Sequence, residues 1–253
     1  MRPNRVRECW AAGRAAVSGW LSIGNSYSAE IVGASGVDCV TIDLQHAMTA
    51  VSDMIPMLQA ISATPAAPFV RVPNAEPGLV MKALDAGSYG LICPLVNSAE
   101  DARALVAASS YPPVGGRSFG PSRGLLYGGP DYAEHANETI VRLAMIETRE
   151  GLAAVADICA VPGLDGIFVG PNDLGLTMGK GTSGDPTDPE VRDAIAHCLR
   201  VARGAGKHAG IFCPNGVVAH RRIGEGFDFV VPNSDANLLK GALAAELAAT
   251  RAA

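Results

Sequence analysis

Apolar runs of strand length recur along the chain, closed by Gly, Pro, Asn or Asp, and between them apolar positions return at helical spacing. The first pattern predicts short strands buried on both faces, the second amphipathic helices packed over them. A short helix is expected over residues 5–13. Strands are expected over residues 19–23, 37–42, 69–72, 90–94, 142–146, 166–169, 208–213 and 227–231. Helices fall between them: 29–34 behind a Ser28 cap, 52–62, 77–85 opened by Pro77, 99–109 entered through Ser98, and 150–158. Then come 189–205, with Asp188 as cap and Pro189 in first position, 217–223, and an alanine-rich closing helix over 236–250. This alternation predicts an α/β fold, a (β/α)8 barrel of the TIM type, in one domain over residues 1–253. A doubly wound open sheet shares the alternation, because strand order is invisible in a single sequence. No Gly-x-Gly-x-x-Gly follows the first strand, which weighs against dinucleotide binding. Residues 111–137, rich in Gly and Pro, break the rhythm. A connection of that length is either a plain surface excursion or a lid or subunit-contact loop lending a cation to an active site.

Composition narrows the classes. The 253 residues are 48% hydrophobic and 18% charged with a net charge of -5, and no basic stripe or aromatic platform is present, so nucleic acid is not an expected partner. Apolar runs stop well short of the roughly 20 residues that span a bilayer. The first 20 residues carry basic side chains without a continuous apolar segment, a poor signal peptide, and a soluble cytoplasmic protein is the expectation. The 6 cysteines are scattered without Cys-x-x-Cys spacing, which disfavours a zinc cluster and a disulfide framework alike. Cys39, Cys93 and Cys213 lie in apolar runs, the usual setting of a thiol that serves as a small buried hydrophobe.

The candidate chemistry lies at the strand ends. The stretch Gly166-Ile167-Phe168-Val169-Gly170-Pro171-Asn172-Asp173 is a short strand that stops at Gly-Pro with a carboxylate just beyond, and Arg142 to Glu147 repeats the form. In a parallel barrel the carboxyl ends of the strands share one mouth, so Glu147 and Asp173 can meet there. Two carboxylates facing one point repel unless a proton or cation lies between them, which makes them a candidate divalent-metal pair. Asp43 and His46 at the second strand and Arg71 at the third join the same mouth. Each alone has an ordinary reading: a packed histidine, a rim ion pair, a helix cap. Together they permit a narrow chemistry. A 2-oxo acid can fill open positions on Mg²⁺ or Mn²⁺, with Co²⁺, Ni²⁺ or Zn²⁺ as other occupants. Arg71 can oppose charge on it, and His46 can take the proton next to its carbonyl. Asp85 can orient His46 if the fold brings them together. The amides after Gly170-Pro171 can cradle a carboxylate. Lys82, Lys180, Lys207 and Lys240 fall in helices or connections, which disfavours a Schiff-base aldolase.

With these residues in view, the chain resembles the HpcH/HpaI family of metal-dependent (class II) pyruvate aldolases over nearly its whole length. The resemblance is carried by Tyr27-Ser28-Ala29-Glu30, Ile42-Asp43-Leu44-Gln45-His46-Ala47, Val70-Arg71, Tyr111-Pro112-Pro113, Ile146-Glu147-Thr148-Arg149 and Gly170-Pro171-Asn172-Asp173-Leu174. It implies a modified TIM barrel assembled as a hexamer, a trimer of dimers with exchanged carboxy-terminal helices. It implies Glu147 and Asp173 as metal ligands, His46 as base with Asp85 as its partner, and Arg71 as the group that binds pyruvate and stabilises its enolate. The amides of Asn172 and Asp173, behind Gly170, would hold the substrate carboxylate. Arg123, in the long connection, would reach a neighbouring subunit's substrate. The implied reaction is reversible cleavage of a 4-hydroxy-2-oxo acid to pyruvate, or a close analogue such as hydroxypyruvate, and an aldehyde. Gln45 stands where such aldolases carry Glu, and Met145 where they carry Gln, and both departures bear on substrate identity. Two other functions share the fold: a CoA-thioester lyase of the citramalyl or malyl type, and a non-catalytic barrel that binds 2-oxo acids.

Overall fold

The first and last strands of the chain are hydrogen-bonded to each other, and that pairing closes the sheet. The structure is a computed structural model and describes residues 1–252. Its parallel barrel runs in sequence order through β1 (Ala16–Leu21), β2 (Cys39–Asp43), β3 (Ala67–Arg71), β4 (Gly90–Cys93), β5 (Val141–Ile146), β6 (Gly166–Val169), β7 (His208–Phe212) and β8 (Phe229–Val231). Closure rules out the open-sheet alternative. The first helices are α1 (Arg5–Ala11), α2 (Ser26–Ala34), α3 (Val51–Ser62), α4 (Pro77–Asp85) and α5 (Ala99–Ser109). Next come α6 (Ser122–Gly128), α7 (Tyr132–Thr139), α8 (Arg149–Ala153), α9 (Val155–Cys159) and α10 (Pro171–Thr177). The series ends with α11 (Pro189–Gly204), α12 (Gly216–Glu225) and α13 (Asp235–Arg251). Among the described residues, no helix is long and apolar enough to cross a membrane.

Two apolar layers hold this together. Leu21, Val40, Ile42, Val70, Ile146 and Val169 face outward and pack under the helices. Trp20, Phe69, Phe168 and Phe229 fill the barrel itself, with Phe69 stacked on Phe229 at 5.8 Å and Phe168 edge-on to it at 6.0 Å. Rings of this size fit because a neighbouring strand lacks a side chain at the same height. A Cβ on Gly90 would lie 2.2 Å from the Phe69 ring. Large and small positions thus alternate around the interior, as packing to near-crystal density requires.

Local chemistry moves several boundaries. β1 starts at Ala16, earlier than expected, with Ser18 accommodated inside the barrel by a 3.0 Å hydrogen bond with Thr41, and it ends at Leu21, beyond which the Ser22 amide donates to Asp235 at 2.7 Å. The cap of α2 is Asn25, whose side chain accepts from the amides of Tyr27 and Ser28. Ser28 lies within that helix and donates instead to Asp235 at 2.9 Å. Residues 111–137 are not simply loop: α6 and much of α7 lie within them. The helix expected over 150–158 begins one residue earlier, behind the Thr148 cap, and is divided at Ala154 into α8 and α9.

Candidate active site

Asp43 and Arg71 end adjacent strands and are partners in the β2–β3 ladder, so their side chains leave the sheet side by side. Arg71 grips Asp43 with both arms, Nε donating to Oδ1 at 2.8 Å and Nη2 to Oδ2 at 2.6 Å. Both residues are buried. Burial pushes the Asp43 carboxyl up, but the Arg71 hydrogen bonds and charge, with the Gln45 and His46 amides, outweigh it and hold the group below the usual carboxylate range. Those two amides donate to Asp43 Oδ1 at 2.9 and 3.3 Å and pin the segment that carries His46. The face of Arg71 lies 4.7 Å from the Trp20 ring. Its remaining nitrogen, Nη1, has the Met145 sulfur at 3.9 Å as its one hydrogen-bond partner among the described residues. Arg71 is thus locked on one edge and available on the other.

Glu147 follows β5 and is buried, with Oε1 accepting from the Leu95 amide at 2.8 Å. Its other oxygen faces Gly170, where an added Cβ would come within 3.0 Å of Oε2 and 2.6 Å of the Met145 methyl. Gly170 is the N-cap of α10, Pro171 occupies the first turn, and Asp173 follows in that turn. Burial pushes the Glu147 carboxyl up, and the charge of Asp173 pushes it further, against the Leu95 amide and the charge of Arg71. The charge of Asp173 is thus one of the influences felt by the Glu147 carboxylate.

A cleft of about 280 Å³ opens over these strand ends. Of the residues expected in the site, His46, Arg71, Gly170, Asn172 and Asp173 line it, and Glu147 sits behind Gly170. His46 is exposed, and its ring has no hydrogen-bond partner among the described residues. Asp85 does not meet it within the chain. That carboxylate ends α4 and accepts from Arg117 at 2.8 Å, where Arg117 packs over the Tyr111 ring. Arg123 is likewise not at the mouth. It lies across the carboxyl ends of α3 and α4, donating to the Leu58 and Ala86 carbonyls and the Ser62 hydroxyl. Helix-end carbonyls and the negative end of a helix dipole make that a favourable seat for a guanidinium.

Trp20, Ser22, Phe212, Ser234 and Asn237 also line the cleft. Sequence reasoning passed over them because they are uncharged. Trp20 falls within the first expected strand and reads as core, and Ser234, which caps α13 in the structure, precedes the expected closing helix. All 6 cysteines are buried and unpaired, and burial pushes the Cys93 thiol up to about 12, away from nucleophilic use.

Residues 17–238 match the family model described as HpcH/HpaI aldolase/citrate lyase. The chain belongs to this family. It is 45% identical, over 98% of its length and 99% of the other's, to a hydroxypyruvate/pyruvate aldolase of Rhizorhabdus wittichii. A 4-hydroxy-2-oxo-heptane-1,7-dioate aldolase of Salmonella dublin is 39% identical over 93% of this chain and 90% of its own. Among solved structures, an HpcH/HpaI aldolase/citrate lyase family protein from Burkholderia cenocepacia superposes with a TM-score of 0.90 at 31% identity, covering 98% of this chain and 100% of that one. The chain is accordingly a carbon–carbon lyase of the class II aldolase kind, in a family that is in general dependent on a divalent metal.

The donor set bears on that dependence. No three His, Cys, Asp or Glu side chains converge among the described residues, so protein ligands alone cannot enclose an ion here. Glu147 and Asp173 supply two hard oxygen donors and leave the other positions to water or substrate. That is the arrangement Mg²⁺ accepts. The residues fit an open catalytic ion.

Proposed function

We propose that the chain reversibly cleaves a 4-hydroxy-2-oxo acid to pyruvate or hydroxypyruvate and an aldehyde, with Glu147 and Asp173 as the residues that would hold a divalent ion, most simply Mg²⁺ or Mn²⁺. Bound there, the ion supplies Lewis-acid stabilisation of developing enolate charge. The observation that carries the reading is the one-sided lock on Arg71. Asp43 occupies Nε and Nη2, and Nη1 is left beside the Met145 sulfur in a cleft that Arg71 and Asp173 both line.

The chain's residues then divide the work. The amides of Asn172 and Asp173, in the first turn of α10, receive the substrate carboxylate. Arg71 Nη1 opposes charge on the 2-oxo oxygen. His46, free at the rim and close to Asp43 through its backbone, takes the proton of the 4-hydroxyl as the C3–C4 bond breaks. The bond's electron pair passes to the C2 oxygen as an enolate, and protonation at C3 completes pyruvate. Met145 and Trp20 exclude water around the guanidinium. The Asp85 side chain, turned toward Arg117, takes no part in these steps within one chain.

Assembly through α13 belongs to the same reading. From residue 237 onward this helix is exposed, and Leu239, Leu243 and Leu247 recur on one stripe at 62%, 57% and 42% exposure. Exchange of α13 between two copies would bury that stripe, and three such dimers give the expected hexamer. The unpaired cysteines suit the reducing cytoplasm.

The test needs no aldehyde. Pyruvate methyl protons, followed by NMR in deuterated water, should exchange when Mn²⁺ or Mg²⁺ is supplied and stop after chelation. Exchange that persists undiminished in the chelated enzyme would overturn the metal-assisted reading. A metal-loaded enzyme that never exchanges would reduce the chain to a binding protein.

A further inference from the structure

We infer that Leu95 is a positioning residue whose strained backbone presets Glu147 for metal binding, an inference that rests on Glu147 being a ligand. Among the described residues only Leu95 and Asn233 combine a side chain with a positive φ, and Leu95, at 53°, is in the left-handed helical region. Asn tolerates such conformations through its short polar side chain, but Leu does so only at a cost. Packing of the Leu95 side chain does not recover that cost, since the residue is 54% exposed. What the conformation secures is in the main chain. Leu95 follows β4 by two residues, and its turn directs two successive amides at β5: its own to Glu147 Oε1 at 2.8 Å, and that of Val96 to the Met145 carbonyl at 3.3 Å. Extended residues present successive amides to opposite sides, so a Leu95 relaxed into the extended region would keep at most one of these bonds.

The opposite side of the carboxylate is closed by Gly170, where a Cβ would come within 3.0 Å of Oε2. Glu147 is therefore held at one oxygen and walled at the other. Oε1 is spent on the Leu95 amide, and Oε2 is the oxygen left for an ion. A buried acid with rotational freedom would have to be ordered when metal arrives; this one is ordered by the fold. The exposed isobutyl group plays no part, so the position should respond to backbone preference and not to side-chain size.

Calorimetric titration of Mn²⁺ into the chelator-treated full-length enzyme tests this, with thermal melts confirming the fold. Leu95→Ala and Leu95→Gly should bind Mn²⁺ within about twofold of the parent, while Leu95→Val, β-branched and averse to positive φ, should bind roughly 10-fold more weakly. Excess Mn²⁺ should restore turnover in Leu95→Val with KM for pyruvate unchanged, a pattern that general loosening of the fold would not produce. Hydrogen exchange of the unmutated, metal-free enzyme adds a measurement independent of any variant. The Leu95 amide should be protected, and fast exchange there would overturn the clamp. So would a folded Leu95→Val with parental Mn²⁺ affinity, or a Leu95→Ala as weak as Leu95→Val. A parent enzyme that binds no Mn²⁺ would instead overturn the assignment of Glu147 as ligand.

Discussion

Asp43 and Arg71 form the strongest polar contact in the site, and removing either leaves the other charge buried alone. Asp43→Ala should therefore destabilise the protein by roughly 3–5 kcal/mol, the usual cost of breaking a buried pair, and a smaller loss by chemical denaturation would mean that water enters the cleft to compensate. Because the folded-state carboxyl titrates below its unfolded value, its contribution is fully present above about pH 4 and fades as pH falls through the folded value. Asp43→Asn should accordingly flatten the acid limb of the stability profile. Glu147 has the opposite sign. Burial and Asp173 raise its folded-state value, so the ionised group opposes folding in metal-free protein. In chelated buffer near neutral pH, Glu147→Gln should melt higher than the parent while losing Mn²⁺ binding, and a lower melting temperature would contradict that sign. His46→Ala should keep Mn²⁺ and pyruvate yet slow methyl-proton exchange by about 10²–10⁴-fold, the range of a lost general base. Unaltered exchange would remove His46 from that role.

At the level of elements, the strand-to-turn junction after β6 does the most. Gly170 lets the Glu147 carboxylate and the Met145 methyl approach the backbone, and Pro171 starts the helix that carries Asn172 and Asp173. Gly170→Ala should leave the barrel folded but weaken Mn²⁺ binding about 10–100-fold, the scale of a displaced ligand support; parental affinity would show that Glu147 yields freely. This junction was legible in the sequence, since an apolar run ending in Gly-Pro and a carboxylate signals both strand end and helix start. The spans of α4, α5 and β6 match their expected residues for the same reason: proline, a capping serine and flanking glycines mark them. Within one chain, Asp85 does not meet His46 and Arg123 does not reach the mouth. Each lies in or beside a helix of the outer layer and satisfies its charge there, with helix-end carbonyls in one case and Arg117 in the other. Nothing in the linear pattern distinguishes a cation seated on a helix end from one aimed at a substrate. Trp20 was missed for the converse reason, because an aromatic in a strand is ordinarily core, and here one ring serves both the barrel interior and Arg71.

On the scale of the molecule, closure of the barrel brings residues more than a hundred positions apart onto one rim, and it leaves α13 exposed from residue 237 onward. A stripe of leucines at i, i+4 and i+8 exposed to water is costly, at roughly 25 cal/mol per Å² of apolar surface left uncovered. The adjoining groove is apolar as well, lined by Ile23, Ile31 and Val32 beside Leu238 and Leu239. Helix and groove together match what a second copy would offer in return, because an exchange related by twofold symmetry buries both at once. Light scattering on the eluting protein should show an assembly larger than one chain. Replacing the stripe by charge, Leu239→Glu with Leu243→Glu, should shift it to smaller species while Mn²⁺ affinity, set by Glu147 and Asp173 outside α13, is kept. If the unmutated chain ran as a monomer, the stripe would need another partner and the exchange would be wrong. If the double variant stayed assembled, the contacts that hold the copies together would lie elsewhere on the barrel.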